Sequence, residues 1–293
     1  EVRERIERQM AAVGIESLHE RGENRDNYKE SRSNTGIYAG WQIGVGAFDS
    51  EVSLRSDHNS VFGNHSTGSV AAGWRFNDAA RAYASHGQGF RGPTLNELYS
   101  PGFGGMFAGN PGLDPETSRS SEVGFEFIPG QDQHLKANFY ETRIRNLISF
   151  SGIDFQAENV AVARIKGAEF GYDRTVGAWR FDTAFTWPDP RNEDTDAQLL
   201  RRPRQKFSGS VERSFGETIR AGAELVRSGK RVDVGGIELP GYTLLNLRAS
   251  WVLTPEWKLL ARIENLTDKD YELAYGYNTP ERSGFVEVVW SAH

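Results

Sequence analysis

Trp179-Arg180-Phe181-Asp182-Thr183-Ala184-Phe185-Thr186-Trp187 alternates without a fault. Successive side chains of a strand point to opposite sides. Trp179, Phe181, Thr183, Phe185 and Trp187 therefore share one face, and Arg180, Asp182, Ala184 and Thr186 the other. Arg180 and Asp182 are too polar for a dry core, so this strand has one apolar and one wet side. The pattern repeats on both sides of it. Val70, Ala72, Trp74 and Phe76 alternate with Ala71, Gly73 and Arg75. Leu245, Leu247, Ala249, Trp251 and Leu253 alternate with Asn246, Arg248 and Ser250. Val123, Phe125 and Phe127 turn at Pro129-Gly130 into Leu135, Ala137 and Phe139.

Taken along the chain, the pattern predicts an all-β protein of about twelve antiparallel strands. The first covers residues 10–20, although Val2, Ile6, Met10 and Val13 also recur at helical spacing and allow a helix before it. The polar run 20–35 reads as a loop. Gly36 to Phe48 and Glu51 to Ser56 form a hairpin about Phe48-Asp49. Short turns at Asn77-Asp78, Pro129-Gly130, Phe215-Gly216-Glu217 and Thr254-Pro255 alternate with long polar loops at 86–120, 188–203 and 229–241. Transmembrane barrels have this asymmetry, with short turns on one side and long loops on the other. An antiparallel sheet with one solvated face has the same alternation, so both architectures stay open on periodicity alone.

Composition is consistent with either. Mean hydropathy is −0.57 and the apolar share 38%, which a barrel with polar residues on one face also shows. No apolar run reaches the roughly 18 residues of a spanning helix. A net charge of −6 without a basic run argues against nucleic acid as a partner. The absence of Cys removes disulfides and thiolate metal sites. The charged Glu1–Met10 is not a signal peptide.

Three ordered motifs bear on the choice between the architectures. Phe90-Arg91-Gly92-Pro93-Thr94-Leu95-Asn96-Glu97-Leu98-Tyr99 is followed by Asn110-Pro111-Gly112-Leu113-Asp114-Pro115-Glu116-Thr117-Ser118 with Glu122-Val123-Gly124. Near the end comes Asn265-Leu266-Thr267-Asp268-Lys269-Asp270-Tyr271. Pro93, Pro111 and Pro115 lack an amide hydrogen and restrict the residue before them, so they end strands and start turns. These segments resemble those of TonB-dependent outer-membrane receptors. Asn34–Tyr38, Arg164–Glu169 and Leu199–Arg202 are similar to the cobalamin branch of that family, as is Asp268–Tyr277. The resemblance covers about residues 8–290.

It implies that residues 1–293 are the C-terminal portion of an antiparallel transmembrane β-barrel in the bacterial outer membrane. The family's barrel has about 22 strands, and its plug domain and TonB box precede it; neither is recognisable in these residues. Energised uptake is therefore not expected of these residues alone. The implied function is transport of a scarce ligand, cobalamin or a related corrinoid, with a siderophore as the alternative. Another reading is a soluble or surface β-sheet protein without transport activity. The implied partners are outer-membrane lipid and lipopolysaccharide, a corrinoid, and TonB through the preceding region.

One site residue is implied. The first Arg of Leu199-Leu200-Arg201-Arg202 corresponds to a corrinoid contact in that branch, and Arg201 reads as the start of a strand at the extracellular rim. A rim charge facing lipopolysaccharide phosphate is the plainer reading. A Tyr that the branch uses in the next loop falls near Gly236, where this chain has none. Arg180, Asp182, Arg248, Arg262 and Glu264 are expected to line the lumen. No nucleophile and base can be assembled, so the chain reads as a non-enzyme without cofactor. Gly87-Gln88-Gly89-Phe90-Arg91-Gly92 matches G-x-G-x-x-G, but Phe103-Gly104-Gly105 and Asn110-Pro111 leave no room for the required helix. Asp189, Glu193, Asp194 and Asp196 read as a solvated loop rather than a calcium site, and His58 and His65 lack ligand spacing.

Overall fold

A computed structural model describes residues 8–25, 27–151, 154–160 and 162–292. The helical spacing from Val2 to Ile6 lies outside them. The chain starts with β1 (Arg8–Asn24), β2 (Tyr28–Val45), β3 (Phe48–Asn59), β4 (Gly63–Asn77) and β5 (Ala80–Arg91). A helical turn, α1 (Leu95–Tyr99), leads to β6 (Glu116–Gly130), β7 (Gln133–Arg145), β8 (Leu147–Ser151), β9 (Gln156–Val160), β10 (Ala163–Val176) and β11 (Trp179–Asn192). Next come β12 (Lys206–Phe215), β13 (Ile219–Ser228), β14 (Arg231–Val232), β15 (Glu238–Leu239), β16 (Tyr242–Val252), β17 (Trp257–Glu264) and β18 (Ser283–Trp290). Fourteen of these form one antiparallel sheet in chain order, and β8–β9 and β14–β15 are separate loop hairpins. The expected count of about twelve was therefore low. Among the described residues β1 pairs only with β2 and β18 only with β17.

The boundaries moved for a physical reason. β2 has 18 residues, whereas a tilted strand crosses hydrocarbon with about 9–11. The remainder has no apolar face to alternate. The polar stretch expected as a loop at 20–35 is thus mostly strand: β1 runs to Asn24 and β2 starts at Tyr28. Buried Arg32 holds these extensions, bonding Glu20 at 2.5 Å and donating to the Pro93 carbonyl. The irregular segment expected at 86–120 likewise shrinks to 92–115. The hairpin expected about Phe48-Asp49, which joins β2 to β3, turns at Gly46 (φ 56°) instead, and Phe48 and Asp49 lie in β3.

Register carries the alternation across the sheet. Val123, Phe139, Ala168 and Trp187 stand opposite one another in turn, and so do Phe125, Ala137, Phe170 and Phe185. On the other face Tyr83 lies opposite Gly124, and Tyr140 opposite Gly167. A Cβ on either glycine would meet the facing Tyr ring; the rings cover the bare backbone there. The apolar face has no second layer: Trp187 is 57% and Val286 74% exposed. The largest fully buried side chains lie mostly in the connections, among them Leu98, Leu239 and Asp233.

Candidate functional site

Arg201 sits in a turn with φ 59°. It does not begin a strand as expected, because the buried Pro203 follows and β12 starts only at Lys206. The unfavourable left-handed backbone is held from both ends. The Arg201 amide donates to the Val232 carbonyl at 2.7 Å, and its Nε donates to Asp233 Oδ1 at 2.8 Å. Its two terminal nitrogens have no protein partner among the described residues, and the side chain is half exposed.

Asp233 is the hub. Its side chain is 1% exposed. Oδ1 also accepts from the Val234 amide at 2.7 Å, capping a 3-10 turn at Val234–Gly236. Oδ2 accepts from the Tyr275 amide at 2.6 Å. One carboxylate thus joins three connections that are far apart in sequence. Burial pushes its pKa up, but the amides of Tyr275 and Val234 and the Arg201 guanidinium outweigh that, so it lies below the ordinary carboxylate value.

The loop carrying Tyr275 is fixed from below. Buried Arg231 donates to the Glu272 carbonyl and to Ser228 Oγ (3.2 Å), and lies 5.1 Å from the Tyr242 ring centre. Tyr242 in turn packs 4.3 Å from Tyr271. Asn265, the first residue of the last motif, is buried with φ 51°. Its side chain bonds both the amide and the carbonyl of Lys269, at 2.8 and 3.0 Å. The motif is therefore a tight turn, as its residue types predict. Above it Tyr275 and Tyr277 are 59% and 70% exposed.

The structure joins Arg201 to Asp233 and Tyr275, neither of which was singled out from the sequence. The tyrosine expected from the resemblance falls near Gly236. Gly235 and Gly236 both have positive φ, and the carboxylate beside them accepts from the backbone amide of Tyr275 in another loop. An Asp directly before Val234-Gly235-Gly236 is a capping signal that could have marked Asp233.

The other candidates fall elsewhere. Arg180, Asp182, Arg248 and Arg262 do come together, lining a cavity of about 630 Å³ on the polar face near the short turns. Glu264 pairs with Arg262 at 3.0 Å. The acidic loop is neutralised in part by arginines: Asp189 and Asp196 bind Arg191, and Glu193 binds Arg143 and Arg164. Among the described residues no three His, Asp or Glu side chains are grouped to hold a metal. Gly87 to Arg91 are strand, and the helix after Gly92 has five residues. Arg91 there binds both Glu97 and Glu116, at 3.0 and 2.7 Å, so the first two motifs fasten one connection.

Residues 10–266 match the family model described as "TonB dependent receptor-like, beta-barrel". The chain belongs to the TonB-dependent receptor family. It is 34% identical over 268 residues to the vitamin B12 transporter BtuB of Vibrio vulnificus, covering 89% of this chain and 42% of that protein. The ferric enterobactin receptor PfeA of Pseudomonas aeruginosa superposes with a TM-score of 0.79 at 18% identity, over 96% of this chain and 51% of that one. The copper transporter OprC gives 0.80 at 20%, over 98% and 54%. These solved receptors share the fold. The chain thus spans about half the length of the family members it matches.

Proposed function

We propose that the chain forms part of the wall of an outer-membrane transporter that takes up a corrinoid in partnership with TonB, and that Arg201 contacts the ligand. The two-faced sheet carries this reading. Soluble monomers rarely expose an apolar patch beyond roughly 300–600 Å², and this sheet exposes aromatic and aliphatic side chains along its whole apolar face. Lipid is the solvent that suits such a face, while the polar face suits a water-filled lumen. The similarity to a vitamin B12 transporter supports the ligand class. Arg201 suits a corrinoid because its Nε is anchored while its terminal nitrogens remain available for peripheral amides or phosphate.

The test is equilibrium binding of radiolabelled cyanocobalamin to outer membranes from cells that lack their own cobalamin receptor and express the full-length protein. Saturable binding is expected, and Arg201→Ala should weaken it by about 1.5–3 kcal/mol, the range of a hydrogen bond to a charged group. Unchanged affinity in the variant returns Arg201 to a loop-ordering role. Binding of a ferric catecholate in place of cyanocobalamin keeps the transporter and replaces its ligand.

A further inference from the structure

The backbone of Arg201 lies in the left-handed region, with φ 59°, which residues other than glycine seldom adopt. A glycine would fit this turn without strain, so an arginine there points to a need for its side chain. Strain of this kind collects at ligand clamps. The side chain is also divided in two. Nε donates to Asp233 Oδ1 at 2.8 Å, while the terminal nitrogens have no protein partner among the described residues. A guanidinium is planar, so a bond at Nε also sets the direction of both terminal nitrogens.

The carboxylate that fixes Nε is itself held from several sides. Asp233 directly follows β14, whose Arg231 and Val232 pair with Leu239 and Glu238 of β15. Its amide donates to the Ile237 carbonyl at 2.8 Å, closing this small hairpin over Gly235 and Gly236. Arg201 joins the same hairpin through its own amide, on the Val232 carbonyl. The Val234 amide binds Oδ1 at 2.7 Å and the Tyr275 amide binds Oδ2 at 2.6 Å. Arg231, two residues before Asp233, reaches the Glu272 carbonyl. The hairpin and the loop of Tyr275 are thus tied at two points.

An ion pair that served only to order these connections would gain most from bidentate contact, the strongest arginine–carboxylate geometry. This one is single. Oδ2 is taken by the Tyr275 amide, and Oδ1 engages Arg201 through Nε alone. The fork of terminal nitrogens is left over, on a side chain that is half exposed while its anchor is buried.

We infer that Asp233 is the positioning residue of the ligand site: it takes Nε of Arg201, so that the terminal nitrogens stand preordered for a peripheral amide or phosphate of the ligand. The inference rests on the proposal that Arg201 contacts the ligand. An arginine free to rotate loses that freedom on binding, whereas one already fixed does not, and the gain in affinity lies in that difference.

The test is a double-mutant cycle on the full-length protein in outer membranes, with radiolabelled cyanocobalamin as the probe. Arg201→Gln is the central variant. Glutamine Nε2 is as many bonds from the backbone as arginine Nε, so it keeps a donor for Asp233 and removes both terminal nitrogens. It should weaken binding about tenfold or more, the range of a hydrogen bond to a charged group, and so should Arg201→Ala. Asp233→Ala should weaken binding about three- to tenfold while Arg201 is in place, the range for ordering one long side chain. In the Arg201→Gln background it should add nothing. The number of binding sites is read alongside, so misfolding shows as lost sites and not as lost affinity. Asp233→Asn, which keeps the volume and one acceptor, carries the cycle if alanine leaves too few sites. A loss that persists in full in the Arg201→Gln background, or no loss at all, overturns the positioning role and leaves the ligand contact standing. Affinity kept by Arg201→Gln but lost by Arg201→Ala overturns the contact itself, since only the tether to Asp233 then matters. No saturable binding by the unsubstituted protein overturns the corrinoid reading and the positioning role with it.

Discussion

The sheet and its long connections hold their order by opposite means. In the sheet, backbone ladders do the work and large apolar side chains stand exposed, as at Trp41, Trp187 and Trp251. In the connections the buried groups are often polar: Asp233 and Asn265 each gather two backbone groups, and Arg231 holds the Glu272 carbonyl and the Ser228 hydroxyl. A sheet that faces lipid needs no second layer, because lipid itself covers the apolar side. A connection lies in water and has too few apolar residues for a core, so it is fixed by charged or amide side chains that satisfy backbone groups. Leu98, Leu113 and Ala157 make a small buried apolar cluster among the described residues, and it lies in the connections.

The largest expected effect would break the contrast within the sheet. Phe170→Arg puts a charge in the middle of the apolar band and should cost about 2–4 kcal/mol in a bilayer, the range for arginine on the lipid face of a barrel. Ala184→Arg, on the polar face beside a cavity of about 250 Å³, should cost far less. Urea unfolding of the full-length protein in lipid vesicles measures both. Equal losses would mean that the two faces do not meet different solvents.

Asp233→Ala comes next and acts on the connections alone. It leaves the Tyr275 and Val234 amides and the Arg201 guanidinium without their partner. The loss should be about 2–3 kcal/mol, of the order of a buried charged group's hydrogen bonds. Amide exchange at Tyr275 should accelerate while unfolding of the sheet is unchanged. Acid should imitate the variant. The folded carboxyl has a lowered pKa, so its contribution is complete above the ordinary carboxylate value near 3.9. It is lost only as pH falls through the lower folded value. Exchange at Tyr275 that first accelerates between pH 5 and 7 would assign the tether to another group.

This contrast also explains what could be read in the sequence. Trp179 to Trp187 declares its strand and both faces, because alternation is local. The family motifs declare turns for the same reason: Pro93, Asn110 and Asn265 act on their own backbone. The ends of β1 and β2 were hidden because a strand outside the apolar band has no face to alternate. The long-range partners were hidden because nothing local encodes them. Arg32 meets Pro93 across 61 residues, Arg201 meets Asp233 across 32, and Asp233 meets Tyr275 across 42.

The smallest effect concerns Thr94, at the start of α1. Its hydroxyl accepts from the Glu97 amide at 3.1 Å, and its own amide donates to Glu97 Oε2 at 2.7 Å. This capping box lets a five-residue helix stand, although so short a helix is unstable alone. The helix carries Leu98 into its contact with Leu113 and Ala157. Thr94→Ala removes one of the two bonds and should cost about 1 kcal/mol, read as faster amide exchange from Leu95 to Tyr99. Thr94→Ser keeps the hydroxyl and should restore most of the protection. Glu97 remains paired with Arg91 in both variants, so the ion pair cannot account for a difference between them. If alanine and serine behave alike, the cap is dispensable and the Leu98 contact holds the segment, which would give the connections an apolar anchor after all.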